Sequence, residues 1–316
     1  MTRKKVVDIR SDNTGVSVTC SDGTAYDGAM IIGADGVHSL VRRTMRRLAL
    51  AEDPKREWDP ENPFVAEYNT AWILIPSILQ HNTFNVTQGH NRSTLYASAR
   101  NKSFAFMCAK LAQPTTERVR YTRKDLEEYV AQFADLPLTE KLTVGDVVDL
   151  RMAGMANLEE GIAKNWSLGR IVLVGDACHK VAPNAGQGFQ AGLQDVVALA
   201  NPLRRAVRSA PGKYPNVETL EGVFDEYKST RMEPLKRVVE LSEQSIRLQT
   251  WASWIHWVLA RYIMTWDFIM RRTLQKAAPR IAGALVLEYV PASEPVTGLV
   301  EWVHPMPKAS DEDLSA

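Results

Sequence analysis

The chain has 316 residues, 45% hydrophobic and 24% charged, enough for one large or two medium globular domains and not the make-up of a disordered chain. Its 38 basic and 37 acidic residues leave a formal net charge of +1, so no overall field gathers nucleic acid. Cys20, Cys108 and Cys178 are odd in number and widely spaced without a C-x-x-C, which argues against a disulfide framework or a zinc site and for a reducing, intracellular compartment.

The first residues, M-T-R-K-K-V-V-D-I-R, are basic, but no apolar run follows, so no signal peptide is expected there. Val6 to Arg10 and Val16 to Cys20 read as strands of a small β-meander, with Ser21-Asp22-Gly23-Thr24 as a turn. Ala29 to Ile32 is a third apolar run, closed by Gly33-Ala34-Asp35-Gly36, and Ser39 can cap a helix to about Leu48. Tyr68 to Ile75, Thr83 to Thr87, Thr94 to Ala99 and Phe104 to Ala109 predict a separate antiparallel sheet. Thr122 caps a helix through about Phe133, and Ile171 to Val174 form a buried strand that runs into Gly175-Asp176. Beyond Pro183 the pattern is helical almost to Ala278, with interruptions expected near Pro202, Pro211 to Pro215 and Pro234, and the last dozen residues read as a solvated tail.

The strongest chemical signal is R-I-V-L-V-G-D-A-C-H-K-V-A-P-N-A-G-Q-G, from Arg170 to Gly188, followed by a helix that contains Asp195. A strand that ends on Gly175 and Asp176 delivers them where ligands bind in open α/β sheets. Gly175 lets a ligand lie against the backbone, and Asp176 offers a carboxylate to a hydroxyl. Gly186 and Gly188 expose N–H groups at a helix N-terminus, where negative charge is favoured. A flavin has both partner groups, a ribityl chain and oxygens that become negative on reduction. A plain strand-to-helix loop needs the same residues, but M-I-I-G-A-D-G-V-H-S-L-V-R-R, from Met30 to Arg43, repeats the form upstream.

With G-A-D-G-x-x-S-x-V-R followed by G-D-A-x-H-x-x-x-P-x-x-G-Q-G, the chain resembles class A flavoprotein monooxygenases, the para-hydroxybenzoate hydroxylase-like group, over roughly Lys4 to Tyr227. It is most similar to the fungal branch that acts on prenylated polyketides and indoles. The resemblance implies a mixed α/β fold: an incomplete Rossmann-like FAD-binding domain in two pieces (residues 1–52 and 151–215), an antiparallel substrate domain (53–150) and a C-terminal helical region (216–316). It implies FAD, with NADPH as reductant. Asp176 would hold the ribityl chain. Gly175, Pro183, Gly186, Gly188 and Phe189 would form the flavin-contacting turn, and Asp35 and Gly36 a loop shared by FAD and NADPH. Arg42 and Tyr68 fall where this branch has catalytic residues, although Tyr68 equally suits the core of a sheet.

Two features depart from that pattern. Gln190 stands where the group usually has Asn, and no G-x-G-x-x-G occurs anywhere in the sequence. That fingerprint normally meets the FAD pyrophosphate. Without it, weak or absent FAD binding by this chain alone is expected, along with an open sheet edge at Ile171 to Val174 that invites a partner carrying the missing unit. His38, His179 and His256 have no metal-ligand spacing, and Ser39 and Ser98 lack a nucleophile elbow. The Arg42 to Arg47 cluster suits either NADPH phosphates or a solvated helix face.

From Gln249 to Arg271 a helix is expected with Gln249, Ser253, His256, Asp267 and Arg271 on one side and Trp251, Ile255, Val258, Tyr262, Trp266 and Ile269 on the other. This is amphipathic and not a span, so the helix either packs on the domain or lies on an internal membrane surface. Two functions stay open. One is an NADPH- and O2-dependent monooxygenase acting on a small lipophilic, prenylated metabolite. The other is a redox-inactive ligand-binding, isomerising or partner subunit descended from one.

Overall fold

Asp12 turns the chain at its first hairpin, its Oδ1 accepting from the N–H groups of Thr14 at 2.7 Å and Gly15 at 3.0 Å. The computed structural model describes residues 4–76, 83–98, 101–212, 214–291 and 300–307. Strands β1 (Val6–Ser11), β2 (Val16–Cys20) and β3 (Ala25–Gly28) make an antiparallel meander. The third strand was not foreseen; Gly23, at φ +81°, makes the turn that returns it.

Strand β4 (Ile31–Gly33) leads into helix α1 (Leu40–Glu52). A six-stranded antiparallel sheet follows, whose first four strands in the chain are β5 (Val65–Pro76), β6 (Phe84–Gly89), β7 (Arg92–Ser98) and β8 (Lys102–Thr115). Helix α2 (Arg123–Ala131) covers one face, with Leu126 and Tyr129 packed against Ala71, Ile73 and Ile75. After a short α3 (Val144–Val147), β9 (Ala153–Ile162) pairs with β5 from Val65 to Ile73, so the sheet extends past the boundary expected at residue 150. Ala99 and residues 308–316, within the expected strand end and tail, lie outside the described residues.

Strands β10 (Ser167–Leu168) and β11 (Ile171–Leu173) come next, and β11 pairs in parallel with β4 from Ile171↔Ile31 to Leu173↔Gly33. The edge expected at Ile171 to Val174 is therefore not open. A turn at Gly169 folds β10 back on one side of β11 while β4 occupies the other. The edge strands of this sheet are β10 and β4, and on β4 Ile32 is exposed. Beyond the two-residue β12 (His179–Lys180), paired with β9, helices α4 (Gly188–Ser209) and α5 (Val217–Gln249) close the core around Trp166, Phe224 and Tyr227. Both helices run through their prolines, Pro202 and Pro234, where interruptions were expected. A proline forfeits one i→i−4 bond, which packing along a long helix offsets. At about 1.5 Å per residue, α5 is on the order of 50 Å long and spans both sheets. Its end touches the large sheet, Ile246 packing with Tyr68.

The helix expected from 249 to 271 is broken. Trp251 adopts a positive φ of 43°, Ser253 caps α6 (Trp254–Val258), a π-turn covers Leu259–Ile263, and α7 spans Asp267–Ala282. Most of α7 stands clear of the domain.

Candidate active site

Because β4 and β11 run parallel side by side, the loops after Gly33 and Leu173 leave at the same end of the sheet. Between that end and one face of the large sheet lies an open cleft of about 1120 Å³. Asp176, Gly175, Pro183, Gly186, Gly188 and Phe189 line one wall, and Thr70, Trp72, Phe106 and Asn157 line the other. The volume suits a ligand of cofactor size.

Asp176 sits in a 3-10 turn whose first residue, Gly175, has φ +59°. Its carboxylate pairs with Lys180, which also lines the cleft. Gly175 faces Gly192 of α4, and a Cβ built on Gly192 would sit in ordinary contact with the Gly175 Cα, at 3.8 Å. Gly186, at φ +65°, ends the Pro183–Ala185 turn and aims the next residues into α4. Among the described residues no side chain caps α4, so its first N–H groups lie free beside the exposed Phe189 ring on the cleft wall.

Beneath this turn, Asp195 is fully buried and accepts from Gly175 N–H at 2.9 Å, from Arg231 Nε at 2.8 Å and from His179 Nε2. Burial alone raises its carboxyl, but His179 and Arg231 outweigh that and hold it below the ordinary range. Cys178, His179 and Asp195 place ligand atoms within 4.8 Å of one another. The Arg231 guanidinium already balances the carboxylate, and burial keeps the Cys178 thiol protonated, so the geometry does not call for a metal.

Asp35 stands just before α1. Its carboxylate accepts from Leu40 N–H at 2.6 Å, Val41 N–H at 3.1 Å and the Ser39 hydroxyl, which closes the N-terminus of α1. Gly36 follows at φ +79°, and the cleft wall is formed one step on by Val37 and His38. Arg42 is buried. Its Nη1 donates to Ala177 C=O at 2.7 Å and its Nη2 to Val37 C=O at 2.6 Å, and it lies 4.8 Å from the Phe64 ring centre. It thus ties the two motif loops together from behind. Arg43 and Arg46 donate to the carbonyls of His38 and Asp59, so this cluster is largely spent on structure.

Tyr68 lies on the cleft-side face of β5, in register with Thr70 and Trp72, but it is wholly buried under the end of α5, with Thr250 Oγ1 3.4 Å from its hydroxyl. Burial pushes its phenol upward. Sequence reasoning missed the groups that β9 and the 118–121 segment bring to the cleft. Glu159 faces His38 at 3.9 Å, and the Tyr121 hydroxyl donates to Asn157 Oδ1 at 2.6 Å. Burial raises the Glu159 carboxyl and lowers His38. Exposed Arg118 and Arg120 edge the mouth.

Two parallel strands deliver glycine-acid turns to one cleft, and the family described as "FAD binding domain" matches residues 2–241. The chain belongs to the FAD binding domain family. Among other members of curated identity, it is 31% identical over 298 residues to the FAD-dependent monooxygenase ausM of Penicillium brasilianum, covering 92% of this chain and 62% of ausM. It is 40% identical over 177 residues to the FAD-dependent monooxygenase SAT1 of Stachybotrys chartarum, 56% of this chain and 60% of SAT1. The chain thus spans about three-fifths of the length of these relatives. The fold matches that of the R204Q variant of Klebsiella pneumoniae HpxO complexed with FAD, at a TM-score of 0.62 and 18% identity over 88% of this chain and 68% of that one. A salicylate hydroxylase substrate complex matches at 0.60 and 16% identity, over 87% and 66%. The sequence resemblance to class A flavoprotein monooxygenases therefore holds for family and fold.

The cleft fits the flavin and ribityl end of FAD. It offers a 22-residue helix start without a side-chain cap among the described residues, the Asp176 carboxylate on its wall, and turns at Gly175 and Gly186 whose positive φ a Cβ would strain. Fit at the pyrophosphate end is not evident. Besides α4, the other helix that starts at these strand ends is α1, and Asp35 already fills its N-terminus.

Proposed function

We propose that this chain forms the flavin- and substrate-facing part of an FAD-dependent monooxygenase, which takes hydride from NADPH and inserts one oxygen atom of O2 into a small, lipophilic, prenylated molecule by epoxidation or hydroxylation. The observation that carries the reading is the meeting of Asp176 and the uncapped N-terminus of α4 in one cleft. Bound FAD would supply the redox chemistry. The chain's own groups do the rest. Asp176 accepts from ribityl hydroxyls, and the α4 N–H groups stabilise negative charge on the flavin ring. Trp72, Phe106 and Phe189 exclude water, and Glu159 with His38 forms a proton-handling pair at the wall. Arg42 and Tyr68 act as positioning residues behind the site.

Arg118 and Arg120 at the mouth support an anionic dinucleotide as reductant. A βαβ unit with a free helix N-terminus, joined to this chain or supplied by a partner, would hold the pyrophosphate. Buried free cysteines support an intracellular setting, in the cytoplasm or on an internal membrane. Riboflavin titration followed by quenching of its fluorescence tests the cleft directly, because riboflavin lacks the phosphates. Wild type should bind it, and Asp176→Ala should weaken binding by about tenfold or more, one charge-assisted hydrogen bond being worth about 1.5–3 kcal/mol. Equal binding by the two proteins would remove Asp176 from the cofactor site and favour a redox-inactive ligand-binding descendant.

A further inference from the structure

From Trp254 onward, side chains that ordinarily build a core face outward: Trp254 is 74% exposed, Trp266 58% and Leu274 65%, with Tyr262 and Phe268 beside them. An apolar surface of this extent marks a binding face. On α7, Met270, Leu274 and Ile281 recur at i, i+4 and i+11 and share one side, while Arg272, Lys276 and Arg280 recur at i, i+4 and i+8 on another. Arg261 and Arg271 bring the exposed cations to five, none of them ion-paired with a described residue. The sole acid from Trp254 to Ala282 is Asp267.

Charge and shape together select the occupant. A second copy docked face to face would set five cations against five, because a two-fold interface repeats one patch on both sides. No helix among the described residues is long and apolar enough to cross a membrane. We infer that Trp254–Ala282 is a peripheral membrane-binding face selective for anionic lipid. Its tryptophans and aliphatic side chains enter the headgroup and acyl boundary, while Arg261, Arg271, Arg272, Lys276 and Arg280 extend to lipid phosphates and carboxylates. Breaks at Trp251 and at the π-turn divide the region into two short helices, α6 and α7, each with exposed apolar side chains. This inference stands apart from the flavin reading.

The full chain, without flavin, is sedimented with phosphatidylcholine vesicles that either contain or lack phosphatidylserine, and tryptophan fluorescence is recorded. Binding should require the anionic lipid and fall with salt. A basic residue near an anionic surface contributes about fivefold, so Arg271→Glu with Arg272→Glu and Lys276→Glu should weaken binding by on the order of a hundredfold or more. Leu274→Asp should abolish the fluorescence blue shift. All four positions are exposed, so thermal melting should match wild type, which separates lost binding from lost folding. Three outcomes would overturn the inference: equal binding to neutral vesicles, no binding to either, or a dimer in lipid-free sedimentation that Leu274→Asp dissolves. Because the assay contains no flavin, its failure leaves the riboflavin titration unaffected.

Discussion

Arg231 Nε lies 2.8 Å from Asp195 Oδ1, and both side chains are sealed from solvent under the turn that presents Asp176. Removing one member of a buried ion pair strands the other, at a cost of about 3–5 kcal/mol. Asp195→Ala should therefore lower stability by that amount in urea unfolding and loosen Gly175, whose N–H loses its acceptor. Asp195→Asn keeps an acceptor and should cost less. A stable Asp195→Ala protein with unchanged riboflavin affinity would mean that the turn holds itself.

Arg42 should behave as a tie and not as a group that meets substrate. Arg42→Met frees the carbonyls of Val37 and Ala177 and should destabilise by about 1–3 kcal/mol, since the desolvation of a buried guanidinium already offsets part of its hydrogen-bond gain. Arg42→Lys, which reaches one carbonyl at best, should fall between. Riboflavin affinity should decline in step with stability. A large loss of affinity at wild-type stability would restore Arg42 to the site itself.

Glu160 gives stability a pH signature. Burial, aided by Glu243, pushes its carboxyl up to about 7. A raised carboxyl binds its proton more tightly in the folded state, so it costs nothing extra below the unfolded value near 4.5 and destabilises progressively as pH rises through 7. Wild type should therefore be less stable at pH 8 than at pH 6, by on the order of 1–2 kcal/mol. Glu160→Gln, which can still accept from Ala182 N–H, should flatten that slope. An unchanged slope would locate the pH dependence elsewhere.

FAD should bind this chain no more tightly than riboflavin does, because among the described residues the α1 N-terminus is closed by Asp35 and offers nothing to a pyrophosphate. Adding a βαβ unit with a glycine-rich turn, covalently or in trans, should improve FAD binding by on the order of a thousandfold and leave riboflavin little changed, two or three charge-assisted bonds being worth that much. Tight, stoichiometric FAD on the chain alone would show that its phosphates sit elsewhere, with Arg118 and Arg120 the first residues to test.

The two glycine-acid turns were legible because each is local: an apolar run, a glycine, an acid, then a helix start. What the second acid does was not. Asp35 followed four residues later by Ser39 reads equally as a ligand carboxylate or as a helix cap, and only the N–H groups of Leu40 and Val41 decide. Arg42 carried no signal of its own, since its partners are carbonyls 5 and 135 residues away. Strand β9 was missed because its place rests on long-range register with β5, and its mixed residues, A-G-M-A-N-L-E-E-G-I, lack a clean alternation. The break after Gln249 depends on one residue, Trp251, adopting a backbone conformation that sequence does not announce.

Strand β12 joins the turn that carries Asp176 to the large sheet through His179↔Ile162 and Lys180↔Gly161, while α5 packs on both halves. Swinging one half away from the other would break that ladder, so traffic through the cleft does not wait for a hinge. At the cleft, the exposed Phe189 and Arg118 side chains can turn without any such swing. Such turns take picoseconds to nanoseconds, whereas domain swings take microseconds to milliseconds. Release of a ligand from this cleft should then be paced by how strongly the walls hold it.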